Sequence, residues 1–161
     1  MTTARHADLG DIDEIVRLRE ILLAPWFDTT DTGWKAETAA ILHRRLDEPK
    51  PTMAVTVIDA PDGSGALASC ATGVISERLP NPGNPSGRYG WVFNVVTDPR
   101  WRGRGHSRAC TSALLDWFED QSVTVIELLA SKPGEGLYRE LGFTVSEEPA
   151  MRLNTRRRMD S

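Results

Sequence analysis

The sequence predicts a mixed α/β fold of one domain over residues 1–155. Three observations predict it: β-branched runs that read as hairpins toward both ends, four stretches with helical periodicity, and a central passage of strand, glycine turn, helix and strand. Counted out, these give a six- to seven-stranded sheet flanked by about four helices, with a short, solvated basic tail at 156–161.

In chain order, TARHA (3–7) reads as a first strand. GDIDEIVRLREILLAP (10–25) places Ile12, Ile15, Val16 and Leu22 at helical spacing behind acidic residues that suit a helix start. TGWKAETAAILHRRLDE (32–48) puts Trp34, Thr38, Ile41, Leu42 and Arg45 on one helix face, and Pro49 and Pro51 stop it. TMAVTVIDA and ALASCATGVISERL flank the turn PDGSG and read as a hairpin. The loop PNPGNPSG leads into a central strand, RYGWVFNVVT (88–97). A helix is expected over 103–119 from Ala109, Cys110, Ala113, Leu114 and Trp117, followed by a strand in VTVIELLAS (123–131). GEGLYRELG makes a short helix ended by Gly142, and FTVSEE (143–148) and AMRLN (150–154) read as two last strands.

Composition narrows the function classes. With 40% hydrophobic and 26% charged residues, the chain can bury a core of ordinary size. No run approaches the roughly 18 to 20 apolar residues that span a bilayer, and the N-terminus lacks the apolar core of a signal peptide, so a cytoplasmic protein with no membrane partner is expected. Cys70 and Cys110 lack paired spacing and a histidine cluster; buried free thiols are expected, and no metal. The net charge is −4, yet Arg100, Arg102, Arg104 and Arg108 crowd one turn. A local basic rim on an acidic protein suits a small anion better than a nucleic-acid backbone.

That turn, RWRGRGHSR (100–108), admits several readings. A phosphate loop of the Walker type needs Lys and Ser/Thr after its last glycine, and Gly105 is followed by His106 and Ser107. A dinucleotide fingerprint is served by Gly103, Gly105 and a downstream Glu127, but Arg108 occupies its third small position. A hydrolase elbow, GHSRA, requires a histidine after the serine, and the histidines are His6, His43 and His106. In any reading, amides at a helix start, the helix dipole and close-approaching glycines favour phosphate.

The turn also resembles the diphosphate motif of the GNAT superfamily of acyl-CoA-dependent N-acyltransferases, Arg/Gln-x-x-Gly-x-Gly/Ala. Arg102, Gly105 and Ser107 fill its roles in the frame that best suits the following helix, while Arg100, Gly103 and Gly105 match it literally. LYRELGF (137–143) is similar to the family's short helix after the fifth strand, and the two motifs together span residues 91–143. The resemblance implies a mixed, mostly antiparallel sheet with splayed central strands. It also implies acetyl-CoA as cosubstrate, held by Arg102, Gly103, Arg104, Gly105, His106, Ser107 and Arg108. Backbone donors around Val95, Val96 and Thr97 would polarise the thioester carbonyl.

By the same resemblance Tyr138 is the acid that protonates the leaving thiolate, with a core aromatic as the alternative. Glu127 is the base that receives the amine proton, with an outward-facing surface glutamate as the alternative. The family's acceptor pocket corresponds here to Trp26, Phe27, Asp28, Asp31, Tyr89 and Trp91, an aromatic and acidic set suited to a cationic amine. The reaction implied is acetyl transfer to a primary amine of a small molecule or peptide by direct attack in a ternary complex, in a monomer or a homodimer. A non-catalytic acyl-CoA-binding module would keep Arg102, Gly103 and Gly105 but gain nothing from Tyr138.

Overall fold

Apolar and small residues dominate 53–58 and 67–73, as strands buried on both faces require. In the computed structural model, which describes residues 3–156, β1 (Arg5–His6), β2 (Met53–Asp59), β3 (Leu67–Glu77), β4 (Arg88–Thr97) and β5 (Ile126–Leu128) form one sheet in that order. The first four strands are antiparallel, and β4 pairs with β5 in parallel. The basic tail expected at 156–161 lies outside the described residues apart from Arg156.

Two helical layers cover the sheet. α1 (Ile12–Leu23) and α2 (Gly33–Leu46) set Ile12, Ile15, Leu18 and Leu42 against Val55, Val57, Leu67, Cys70 and Val96. On the opposite face α3 (His106–Asp120) packs Cys110, Leu114 and Phe118 against Ala54, Ile58, Ala68, Ala71 and Val92. Each fully buried Leu, Ile or Phe contributes roughly 1.5–3 kcal/mol of transfer free energy. Phe118 sits directly over two glycines of the sheet: a Cβ on Gly73 or Gly90 would come within 2.7 Å of its ring. Cys70 and Cys110 are buried free thiols, and burial pushes Cys110 up to about 12, so both are inert packing groups at neutral pH.

The structure departs from the sequence reading in three places. Five strands form among the described residues, and 143–148 and 150–154 are irregular chain. Alternation over so few residues makes a strand only where an edge receives it; here Pro149 interrupts the run, and Val145, Met151 and Leu153 stand exposed. α3 begins at His106 because Gly103 and Gly105, at φ 76° and 77°, cannot be helical. Its buried stripe is rotated toward His106, Cys110, Thr111, Leu114 and Phe118.

The chain divides between Leu129 and Ala130 into two compact units. The second holds a single 3-10 turn, Lys132–Gly134, whose end amide bonds to Ser131, and α4 (Glu135–Glu140), followed by Gly142 at φ 100°. No helix among the described residues is long and apolar enough to cross a membrane.

Candidate active site

Asp98 leaves β4 immediately before Pro99, a combination that starts a helical turn. Its Oδ1 accepts the Arg100 amide at 3.0 Å and caps the 3-10 turn Pro99–Trp101. Arg17 of α1 donates to Asp98 Oδ2 at 2.8 Å while also gripping Glu14, and Arg100 adds a contact at 3.2 Å. Burial alone would raise the Asp98 carboxyl. The bonds from Arg100 and Arg17 outweigh it and hold Asp98 far below the usual carboxylate range. The brace is therefore ionised at any physiological pH, and it fixes the exit of β4.

Gly103 and Gly105 follow, both in the left-handed region, with Gly105 as N-cap of α3. A side chain there costs roughly 1–2 kcal/mol from its Cβ alone. A Cβ built on either glycine meets nothing within 4 Å, so the loop faces open space. The first bond of the α3 ladder runs from the Ala109 amide to the Gly105 carbonyl at 3.0 Å. The Gly105, His106 and Ser107 amides precede it and form the donor set, reinforced by the helix dipole. Hydroxyls tie the loop to the sheet: Ser69 Oγ lies 2.9 Å from Thr97 Oγ1, and Thr97 Oγ1 lies 2.7 Å from Ser107 Oγ.

Side chains of this loop divide by role. Arg102, Arg104 and Arg108 are exposed. Arg102 Nε reaches back to the Thr97 carbonyl at 3.3 Å, and the Arg104 guanidinium lies 5.1 Å from the Trp101 ring centre. His106 is buried, with neither ring nitrogen bonded to the protein. Burial and then the charge of Arg104 push its imidazole down, so it offers an amide rather than a cation to an anion. Arg100, the alternative first residue of the motif, is engaged with Asp98.

β4 carries a bulge beside this loop. Phe93 is in register with Thr72 and Val96 with Cys70, so Asn94 and Val95 together oppose Ala71. Asn94 takes φ 52°, a conformation asparagine tolerates. The extra residue changes which way the strand faces: Val92 belongs to the α3 core and Val96 to the α1 core, although they are four residues apart. β5 pairs only with Gly90–Val92, leaving Phe93–Thr97 without a partner strand on that side among the described residues. Val96 faces β3 in the ladder. The Thr97 main chain, next to the Asp98 amide that bonds Ala68 at 2.8 Å, faces the open edge.

Glu127 on β5 is in register with Trp91 on β4. Its Oε1 accepts Arg78 at 2.9 Å, and the Arg78 guanidinium lies 4.3 Å from the Tyr89 ring centre. Asn81 donates to the Tyr89 hydroxyl at 3.1 Å. Tyr89, Trp91 and Glu127 thus form one cluster, half-exposed and joined by an arginine. Of the other residues expected to line an acceptor pocket, Trp26 and Phe27 are 79% and 65% exposed and so are not packed into the helix pair. Asp28 bonds to Thr30, and Asp31 to the Gly33 amide, so both carboxylates cap their own loop.

In the second unit Tyr138 is half-buried, its ring centre 5.9 Å from that of Phe143 in an edge-on contact. Burial pushes its phenol up, so it carries its proton throughout the physiological range.

Sequence reasoning missed Arg17, Arg19, Arg78 and Asn94. One signal was legible: an asparagine in VFNVV is a polar, left-handed-tolerant residue inside an apolar strand, the mark of a bulge. The arginines carry no such mark, because Asp98, Asn94 and Glu127, to which they bond, lie 49 to 81 residues away from them.

The family model described as "Acetyltransferase (GNAT) family" matches residues 15–143. Solved structures share the fold. A predicted acetyltransferase with acetyl-CoA from Clostridium acetobutylicum is 24% identical at a TM-score of 0.81, over 96% of this chain and 97% of that one. A GCN5-related N-acetyltransferase from Ralstonia eutropha is 21% identical at 0.78, over 95% and 99%. Glucosamine-6-phosphate N-acetyltransferase from Arabidopsis thaliana is 17% identical at 0.75, over 95% and 98%. No curated protein shows significant sequence similarity to the chain.

Proposed function

Since the chain belongs to the GNAT acetyltransferase family, we propose that it transfers an acetyl group from acetyl-CoA to a primary amine of a small molecule or peptide, by direct attack in a ternary complex. The observation that carries this reading is the open glycine cradle at the start of α3, set beside the unpaired edge of β4. Acetyl-CoA, when bound, supplies an acetyl thioester.

The chain's own residues do the rest. The Gly105, His106 and Ser107 amides bind a diphosphate, with Arg102 and Arg104 adding charge from the rim. The outward main chain of Thr97 offers hydrogen bonds to an extended ligand lying along β4, in the manner of an added strand. Glu127 keeps Oε2 clear of any described partner and receives the proton of the incoming ammonium, directly or through water. Tyr138, a phenol protonated at neutral pH, is the acid proposed for the departing sulfur on the resemblance of LYRELGF alone.

Incubating the protein with acetyl-CoA and a broad amine panel, followed by mass spectrometry, tests the reading. Acetylated products that vanish when Gly105 is blocked are expected. Tight acetyl-CoA binding without any adduct would turn the assignment toward a binding module.

A further inference from the structure

Arg19 is the cation that the reaction scheme leaves out. It stands on the C-terminal half of α1 and is half-buried; its Nη1 donates to Asn94 Oδ1 at 3.0 Å. No carboxylate pairs with it among the described residues. The charged residues flanking it on α1 are matched: Arg17 with Glu14 and Asp98, and Glu20 with Lys35. Cys70, its neighbour across the bulge, is a neutral thiol. Burial pushes Arg19 down from its ordinary value, and a guanidinium in a protein stays charged.

Its position gives that charge a use. Asn94 is the bulged residue of β4, three positions along the strand from Trp91 and on the α1 side of the sheet, where Glu127 is in register with Trp91. Three residues of strand are roughly 10 Å, the length of a small amine carrying a second polar group. A half-buried guanidinium whose Nε and Nη2 have no partner among the described residues favours a planar or tetrahedral oxyanion in two-point contact and disfavours a second cation. This favours an amine that carries an anion over one that carries further cations, while Asp28 and Asp31, expected beside a cationic amine, each hold their own loop through Oδ1.

We propose that Arg19 selects the acceptor: its guanidinium, braced on Asn94, receives a carboxylate or phosphate carried by the amine to be acetylated. The inference rests on the acetyl-transfer reading above.

Matched probes test it: free α-amino acids against their α-amides for the carboxylate source, and O-phosphoethanolamine against ethanolamine for the phosphate source. The charged member of at least one pair is expected to be the better substrate, although its amide counterpart is the weaker base and so more often unprotonated. Arg19→Gln is expected to raise KM for the charged member by ~10- to 100-fold, the worth of one hydrogen-bonded ion contact, while leaving the neutral member within ~3-fold. Arg19→Lys restores part of the preference. A structural brace, or a group acting on the thioester, would instead lower kcat for both members alike. That result, or a preference for the neutral member of every pair, overturns the proposal.

Thermal shift of the CoA-bound protein gives a second readout. Stabilisation by charged probes beyond their neutral partners is expected, and equal shifts overturn the assignment even where no probe turns over. If acetyl-CoA itself fails to stabilise the chain, the acetyl-transfer reading falls and this inference with it. Transfer to neutral amines alone leaves that reading intact and removes only the role of Arg19.

Discussion

Between Asp98 and Ser107 the chain presents main-chain amides and two glycines of positive φ, whereas β4 also presents Tyr89 and Asn94 to arginines from just past β3 and from α1. The first region is made by where the backbone goes. The second is made by which distant side chains arrive. A backbone site can be lost by blocking it or by releasing its anchors, and it tolerates most changes of side-chain chemistry. A side-chain site changes its ligand one residue at a time.

The sharpest way to break this contrast is Gly105→Val. A β-branched residue at φ 77° is strained, and its methyl groups would enter the open space over the amides. Strain and lost phosphate bonds together are expected to weaken acetyl-CoA binding by about 4 kcal/mol, or roughly a thousandfold, measured by calorimetry. Binding within about tenfold of the original would mean that side chains, not amides, hold the ligand.

Glu127→Gln attacks the other region. Loss of the proton acceptor is expected to lower kcat about a hundredfold, with the KM for acetyl-CoA unchanged. A normal kcat would leave Glu127 as a surface partner of Arg78.

Asp98→Ala lies between the two, because it removes the anchor of the loop without touching its amides. Asp98 is buried and bonded to Arg17 and Arg100, both of which keep partial access to water, so a loss of about 2 kcal/mol in stability is expected. Asp98→Asn adds a pH signature. The folded carboxyl is depressed, so its contribution is whole above the unfolded pKa of about 4 and is lost as pH falls toward the folded value. The Tm difference between wild type and Asp98→Asn should therefore shrink below about pH 4. A difference that grows in acid would contradict the ionised brace.

What the sequence disclosed follows the same division. The glycine turn was legible because φ above zero selects glycine locally, and β2 and β3 were legible because burial on both faces demands apolar and small residues. α3 was placed, but its start slipped by three residues: apolar spacing marks a stripe and does not mark where glycines leave the helical region. The last two expected strands failed because alternation cannot report whether a sheet edge is waiting. In the cluster beside Glu127, Tyr89 and Trp91 were named through the family resemblance. Arg19 and Arg78 could not be named, since nothing near them in sequence encodes Asn94, Glu127 or Tyr89.

Arg78→Gln carries the smallest expected effect and probes whether the regions are separable. Arg78 and Glu127 are each nearly half exposed, at 48% and 45%, so solvent screens the pair and its loss should change stability by less than about 1 kcal/mol. Stacking on Tyr89 is likewise worth about 0.5–1 kcal/mol at such a site. Arg78 touches both Glu127 and Tyr89, so if the proposed acceptor site is right the measurable consequence is a rise of about 2- to 5-fold in acceptor KM. The acetyl-CoA KM should stay constant, because no contact of Arg78 reaches the loop from Asp98 to Ser107. If the acetyl-CoA KM rises in step, the two regions move together through β4, and the bulge at Asn94 is the place where that coupling would have to pass.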